Sequence, residues 1–325
     1  KLTINGSYSF GRTASTAFNY FGLLTPVPTY YKYMPSYFGP TSTDADPGQY
    51  AALTNAWQNN TANPASGFST SQQIAWDDLY NFNSKNQQTT NNVDGVAGKT
   101  YTGNRSLYIL EERRQDSKNW SGNAIYNTST KNNIYLTGGA NAMLSQTRYY
   151  KVVNDLLGGD YWLDRNQLSN SVSTSTNVIQ NNINDPNKIV KQGDVFGYDY
   201  NINVTRIEAW GQAEKSFKKF DMYVGASIST TYFYRDGHIV NGLFPNTIGG
   251  DGSSGGRSKE LSFLNYGAKG GITYKINGHN YITINVMSET KPPLPTASFV
   301  SPHTRNDVIP GLQNEKILNG DITYN

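Results

Sequence analysis

The sequence predicts an all-β fold, a transmembrane antiparallel β-barrel with long extracellular loops, on three observations. Apolar residues recur with period two in segment after segment. The composition is polar, glycine-rich and tyrosine-rich: of 325 residues only 36% are hydrophobic and 16% charged, with 31 Gly and 24 Tyr. Short and long connections between the alternating segments follow one another strictly.

The composition also excludes whole classes. No apolar run approaches the roughly 18 residues of a spanning helix. A formal charge of +3 is too small to point to nucleic acid, so no nucleic-acid partner is expected. Cysteine is absent, which removes disulfides, thiolate zinc sites and a cysteine nucleophile. The aromatic content argues against disorder.

Each strand rests on its own alternation. Segment 220–234 places Phe220, Met222, Val224, Ala226, Ile228, Thr230, Tyr232 and Tyr234 on one face, and Asp221, Tyr223, Gly225, Ser227, Ser229, Thr231 and Phe233 on the other. Segment 264–274 sets Leu264, Tyr266, Ala268, Gly270, Ile272 and Tyr274 against Asn265, Gly267, Lys269, Gly271 and Thr273. Segments 2–10, 120–126, 134–144, 282–286 and 318–324 alternate likewise. In 201–213 the apolar parity changes near Arg206, which suggests a bulge or a change of environment. Tyr8, Tyr126, Tyr232, Tyr234, Tyr274 and Tyr324 sit near strand ends, as membrane-interface aromatics do. A soluble sandwich would also use tyrosine on its apolar faces.

The connections favour the barrel. Residues 128–133, 216–220 and 276–280 are short, the last containing the hairpin signal Asn277-Gly278. Residues near 13–104, 150–197, 237–258 and 290–315 are long. A membrane barrel has short turns on one rim and long loops on the other; a sandwich has no such rule. About eight strands result, and residues 1–325 read as part of one β-barrel domain with no plug domain. Both ends fall inside strands, the loops are heavy, and the inward faces are small and wet. The expectation is therefore a fragment of a larger barrel.

Chemistry-bearing patterns are sparse, and no catalytic residues, cofactor or metal are expected. Gly250-Asp251-Gly252-Ser253-Ser254-Gly255 and Gly252-Ser253-Ser254-Gly255-Gly256 match phosphate-loop and nucleophile-elbow patterns. The following residues read as a strand, however, and both motifs need a helix there. His238, His279 and His303 lack ligand spacing. Asp44-Ala45-Asp46-Pro47-Gly48 looks like the start of a calcium loop without its closing glutamate. Glu111-Glu112-Arg113-Arg114 reads as ion pairs between strands, or as a site for an anion. Tyr30, Tyr31, Tyr33, Tyr37 and Phe38 form the candidate substrate-binding set: aromatic faces stack on sugars or peptides, and they also pack loops.

Six segments, taken in order, carry a resemblance. They are Pro28-Thr29-Tyr30-Tyr31-Lys32-Tyr33-Met34-Pro35-Ser36-Tyr37, Tyr108-Ile109-Leu110-Glu111-Glu112-Arg113-Arg114-Gln115-Asp116, and Asp155-Leu156-Leu157-Gly158-Gly159-Asp160-Tyr161-Trp162-Leu163-Asp164. Then come Tyr234-Arg235-Asp236-Gly237, Lys269-Gly270-Gly271-Ile272-Thr273-Tyr274-Lys275-Ile276-Asn277-Gly278, and Ser301-Pro302-His303-Thr304-Arg305-Asn306-Asp307-Val308-Ile309-Pro310-Gly311-Leu312. Together they resemble the barrel of TonB-dependent outer-membrane receptors of Bacteroidetes, the type carrying a carboxypeptidase-regulatory-like domain. The resemblance implies a 22-stranded barrel in the bacterial outer membrane, plugged by a domain that this sequence does not contain. It implies as partners outer-membrane lipid and the TonB complex acting through that plug, with a surface lipoprotein as a further candidate partner. The function implied is energised nutrient import. A barrel acting as scaffold in a surface lipoprotein, secretion or adhesion complex, and a soluble glycan-binding β-protein, are the alternatives.

Overall fold

A computed structural model of the chain describes residues 1–20, 23–166, 177–246 and 251–325. Gly250, the first residue of the phosphate-loop pattern, lies outside them. The fold is all-β, 53% strand and 11% helix, with antiparallel sheets. In chain order the strands are β1 (Leu2–Tyr20), β2 (Gln87–Asn91), β3 (Thr100–Asn104), β4 (Tyr108–Ser129), β5 (Ile134–Asp155), β6 (Trp162–Leu163), β7 (Ile189–Val190), β8 (Val195–Ser216), β9 (Phe220–Gly237), β10 (Gly256–Arg257), β11 (Leu261–Lys275), β12 (Tyr281–Lys291) and β13 (Glu315–Tyr324). The main sheet runs β1-β4-β5-β8-β9-β11-β12-β13, with β10 beside β9. These eight principal strands match the eight read from the alternation. No closed barrel is found among the described residues, and no helix is long and apolar enough to cross a membrane.

The chain divides into two compact units. The first comprises Lys1–Thr13, Gln115–Tyr149 and Asp199–Asn325. Its hairpins close tightly, β4 to β5 through residues 130–133, β8 to β9 through 217–219 and β11 to β12 through 276–280. The last turn is organised by the side chain of Asn277, whose Oδ1 accepts from the amides of His279 and Asn280, both at 2.9 Å. That is an Asx-type cap rather than the two-residue turn that Asn-Gly usually signals.

The suspected irregularity near Arg206 is a change of environment and not a bulge. β8 pairs with β9 in one unbroken register from Tyr200↔Gly237 to Ser216↔Asp221. After Arg206 in the chain the aliphatic residues are odd-numbered and face the open side, as at exposed Ile207. Before it the apolar residues are even-numbered: Tyr200 and Ile202 are buried and face the side on which Phe233 stacks on Phe263, centroids 5.6 Å apart.

The second unit comprises Ala14–Arg114 and Tyr150–Tyr198. The long connections predicted as loops contain ordered structure here: α1 (Pro47–Asn59), α2 (Trp76–Ser84), the β2–β3 hairpin and the β6–β7 pair. α1 begins at Asp46, whose carboxylate accepts from the amides of Gly48 at 2.9 Å and Gln49 at 3.0 Å. Pro47 occupies the first turn, where its missing N–H is no loss. The helix stops at Asn60, in left-handed conformation (φ 48°). The segment Asp44–Gly48 is thus a helix start, with its central carboxylate already taken. α2 buries Leu79 and Asn83. The Asn83 amide nitrogen donates to the carbonyls of Tyr108, Leu156 and Leu157, and its oxygen accepts from the amides of Leu107 and Tyr108. Two apolar clusters complete the unit, one around Phe68, Leu79, Tyr108 and Leu157, the other around Ile109, Val153, Trp162, Val190 and Phe196.

Candidate functional site

The sheet of the first unit has two chemically different faces, and the register shows how each is assembled. Ala213, Val224, Gly270, Val286 and Gly320 lie in one cross-strand row. Met222, Ile272, Ile284 and Ile322 form the next, and Phe220, Tyr274, Ile282 and Tyr324 the one after. This face is open: Val224 is 62% exposed, Val286 58% and Ile322 75%. On the opposite face the rows read Gln212, Gly225, Lys269, Met287, Asn319 and Glu214, Tyr223, Gly271, Asn285, Asp321. Polar links cross it: the Tyr223 hydroxyl donates to Asn285 Oδ1 at 3.1 Å, Asn285 donates to Asp321 at 3.0 Å, and Lys275 pairs with Asp221 at 2.7 Å. An uncovered apolar band of this extent marks a surface that meets something other than water.

The six tyrosines expected at an interface share the parity of the apolar face. Tyr8 packs on Trp120 with centroids 5.1 Å apart, and Tyr274 on Phe220 at 5.2 Å. Tyr324 donates its hydroxyl to Asn280 at 2.9 Å. Tyr126 and Tyr232 are exposed, and Tyr234 lies under the Arg257 guanidinium, 3.7 Å from its centroid.

In the second unit the aromatic loop is a chain of edge-to-face rings. Tyr30 meets Tyr31 at 4.8 Å and Tyr33 at 5.1 Å, Tyr31 meets Tyr37 at 5.4 Å, and Tyr37 meets Phe38 at 5.0 Å. The structure therefore brings all five residues together, but not equally. Tyr33 is buried, and its carbonyl accepts from the Trp57 indole and from Asn63, both at 3.2 Å. Tyr31 is 57% exposed, and the Lys32 ammonium lies 5.8 Å from its ring centre. One end of the chain anchors and the other faces outward.

The charged quartet resolves into ion pairs within the second unit. Buried Glu111 accepts from Arg113 at 2.6 Å, Lys151 at 2.9 Å and Asn19 at 2.6 Å, and Arg114 pairs with Glu112 at 2.9 Å. Nearby in the chain, burial pushes the carboxyl of Asp164 above its ordinary range, against the bonds it accepts from Asn181 at 2.6 Å and the Gly197 amide at 3.0 Å.

The first unit also holds a polar knot that the alternation does not reveal. Arg235 is 1% exposed, and carbonyl and side-chain amide oxygens receive its guanidinium. Its Nε donates to the Pro302 carbonyl at 2.6 Å, and its Nη1 to the Ser254 carbonyl at 2.7 Å and to Asn306 Oδ1 at 2.5 Å. Tyr200 lies flat below it, ring centre 4.7 Å away, and His303 packs on Tyr200 at 5.9 Å. A side chain at Gly237 would run into the Ser254 carbonyl, so only glycine lets this loop approach. Ser254, the serine of the nucleophile-elbow pattern, is buried, accepts from the Asn241 amide and donates to the Phe244 carbonyl. It is followed by β10, not by a helix. His238 sits against Asp199 at 3.0 Å, which in turn takes both arms of Arg148. His303 thus packs a loop, as read from the sequence. The signal for the knot lies in the quoted segments around Arg235 and Asn306, but nothing local says that they meet.

No family model matches this chain, and no curated protein matches it.

Proposed function

We propose that this chain is the membrane-spanning portion of an outer-membrane β-barrel, and that it serves a TonB-dependent receptor for energised nutrient import. One observation carries the membrane part: the uncovered apolar face, backed strand for strand by a polar one. Two more support it. Tight turns and long connections alternate along the sheet order. From Phe220 to Tyr232 is twelve residue steps of strand, roughly 40 Å, or about 30 Å along the normal for a strand tilted by ~40°, close to the height of a lipid-facing apolar band with its aromatic girdles.

On this reading the apolar rows contact hydrocarbon and the rows through Lys269 and Asn285 line a watery interior. The second unit is built largely from two of the long connections, and its exposed Tyr31 is offered to the solute. The remaining strands and the plug that couples to TonB come from beyond these residues or from another chain. The receptor role rests on the resemblance of the quoted segments.

The absence of cysteine makes the test clean. Single cysteines at Val224, Ile228, Ile284 and Ile322, and at Ser227, Lys269, Asn285 and Asp321, carry spin labels in membranes. The first set should be relaxed by oxygen and the second by a water-soluble relaxant. Water access at the first set, or extraction without detergent, overturns the membrane reading. Unchanged uptake of every tested nutrient after deletion of the gene overturns the transport reading alone.

A further inference from the structure

The apolar face of the first unit is not uniformly filled. Gly138, Gly211, Ala213 and Ala226 leave a groove of about 520 Å³, walled by Tyr126, Leu136 and Val224. Register builds it: Gly211 pairs with Ala226 and Ala213 with Val224, and a side chain at Gly138 would sit 3.9 Å from the Cα of Gly211. Its lining is almost wholly hydrocarbon.

Charge lies at the end of the groove nearest the turns. Lys215 follows Ala213 on the same face, pairs across with Met222, and holds its ammonium 4.9 Å from the Phe217 ring centre. Lys218 and Lys219 are exposed in the same turn, and Lys131 in the adjacent one. Among the described residues, none of these four lysines is in an ion pair. The acids near this rim do not neutralise them: Asp221 is paired with Lys275, and Glu214 has the opposite parity and accepts from Gln212.

We infer that this groove holds one anionic glycerophospholipid, an acyl chain lying over Gly211 and Ala226 and the phosphate held by Lys215 with the turn lysines. Elongated, apolar and ending in uncompensated cations, the site is complementary to that amphiphile. A zwitterionic lipid would fill the groove but leave the cations unmatched. The inference rests on the membrane reading of this face.

The test is native mass spectrometry of the full 325-residue chain, extracted in mild detergent and offered phosphatidylglycerol or phosphatidylcholine with the same acyl chains. Wild type should retain one phosphatidylglycerol, in about fivefold preference, the effect of roughly one lysine at an anionic surface. Lys215→Gln should abolish the preference, and Ala226→Phe should cut retention of both lipids several-fold. Val286→Phe, on the same face but outside the groove, should change neither. Equal retention of the two lipids by wild type, or an Ala226→Phe result equal to that of Val286→Phe, overturns the lipid site while the membrane reading stands. A chain that stays soluble without detergent removes both.

Discussion

Replacing Arg235 with methionine tests what holds the loops of the first unit together. The substitution keeps much of the aliphatic volume and removes the fork. Three acceptors then lose this donor: the half-buried carbonyl of Pro302, the buried carbonyl of Ser254 and the Oδ1 of Asn306, itself 0% exposed. Each unmet acceptor costs about 1–3 kcal/mol, and relief from burying a cation offsets part of the sum. A net local loss of ~3 kcal/mol follows, which raises loop opening a little over a hundredfold at about 1.36 kcal/mol per decade. Amide hydrogen exchange reads this directly. The Asn306 amide donates to the Ser253 carbonyl at 2.7 Å, Ser258 to the Arg235 carbonyl at 2.8 Å, and Asn241 to Ser254 Oγ at 2.6 Å. These three should exchange faster together, while the amides of the β11–β12 ladder keep their protection. Arg235→Lys, which keeps the charge without the fork, should fall between. Protection within about threefold of wild type at all three amides would show that the guanidinium does not hold this knot.

Asp164→Asn should stabilise the second unit at neutral pH, because the amide oxygen can keep both bonds now accepted by Oδ1 while the buried charge is removed. Burial raises the Asp164 carboxyl, so its stabilising contribution is full below the unfolded value and is lost as pH rises through the folded one. The gain in melting temperature of Asp164→Asn over wild type should accordingly be larger at pH 8 than at pH 5. Tyr33→Ala should destabilise the second unit by about 3–5 kcal/mol in protease susceptibility, whereas Tyr31→Ala should leave it intact and weaken solute capture at the cell surface. Val224→Arg should lower folding stability in bilayers by about 2–4 kcal/mol, and Gln212→Arg, on the polar face, by much less, as read by denaturant titration in vesicles.

How much of this was legible depended on whether the signal was local. Period two is local: it gave the eight principal strands and assigned each side chain of 220–234 and 264–274 to the face it occupies. Turn placement was equally local. The ends of strands were not, because β4, β5 and β8 run well beyond their clean alternation into stretches such as Tyr108–Arg114, where both faces carry charge or bury it. α1 was missed although its signature, Asp46 before Pro47, stands in the sequence; the same residues also suit a calcium loop, and only the helix amides decide between them. The aromatic loop was found as a set, but which ring anchors and which is exposed depends on Trp57 and Asn63, far along the chain. The Arg235 knot joins this side chain to residues 19 to 71 positions along the chain and leaves no periodic trace.

The switch of apolar parity within β8 has a bearing on how this strand finds its partner. A slip of one residue against β9 turns every side chain to the other face. In a strand with one greasy face, that error is resisted once. In β8 it would drive Ile207, Ala209 and Ala213 inward and, at the same time, swing Tyr200 and Ile202 out of their packing. The two halves of one continuous ladder thus oppose the same mispairing for separate reasons, and alignment there needs no irregularity to pin it.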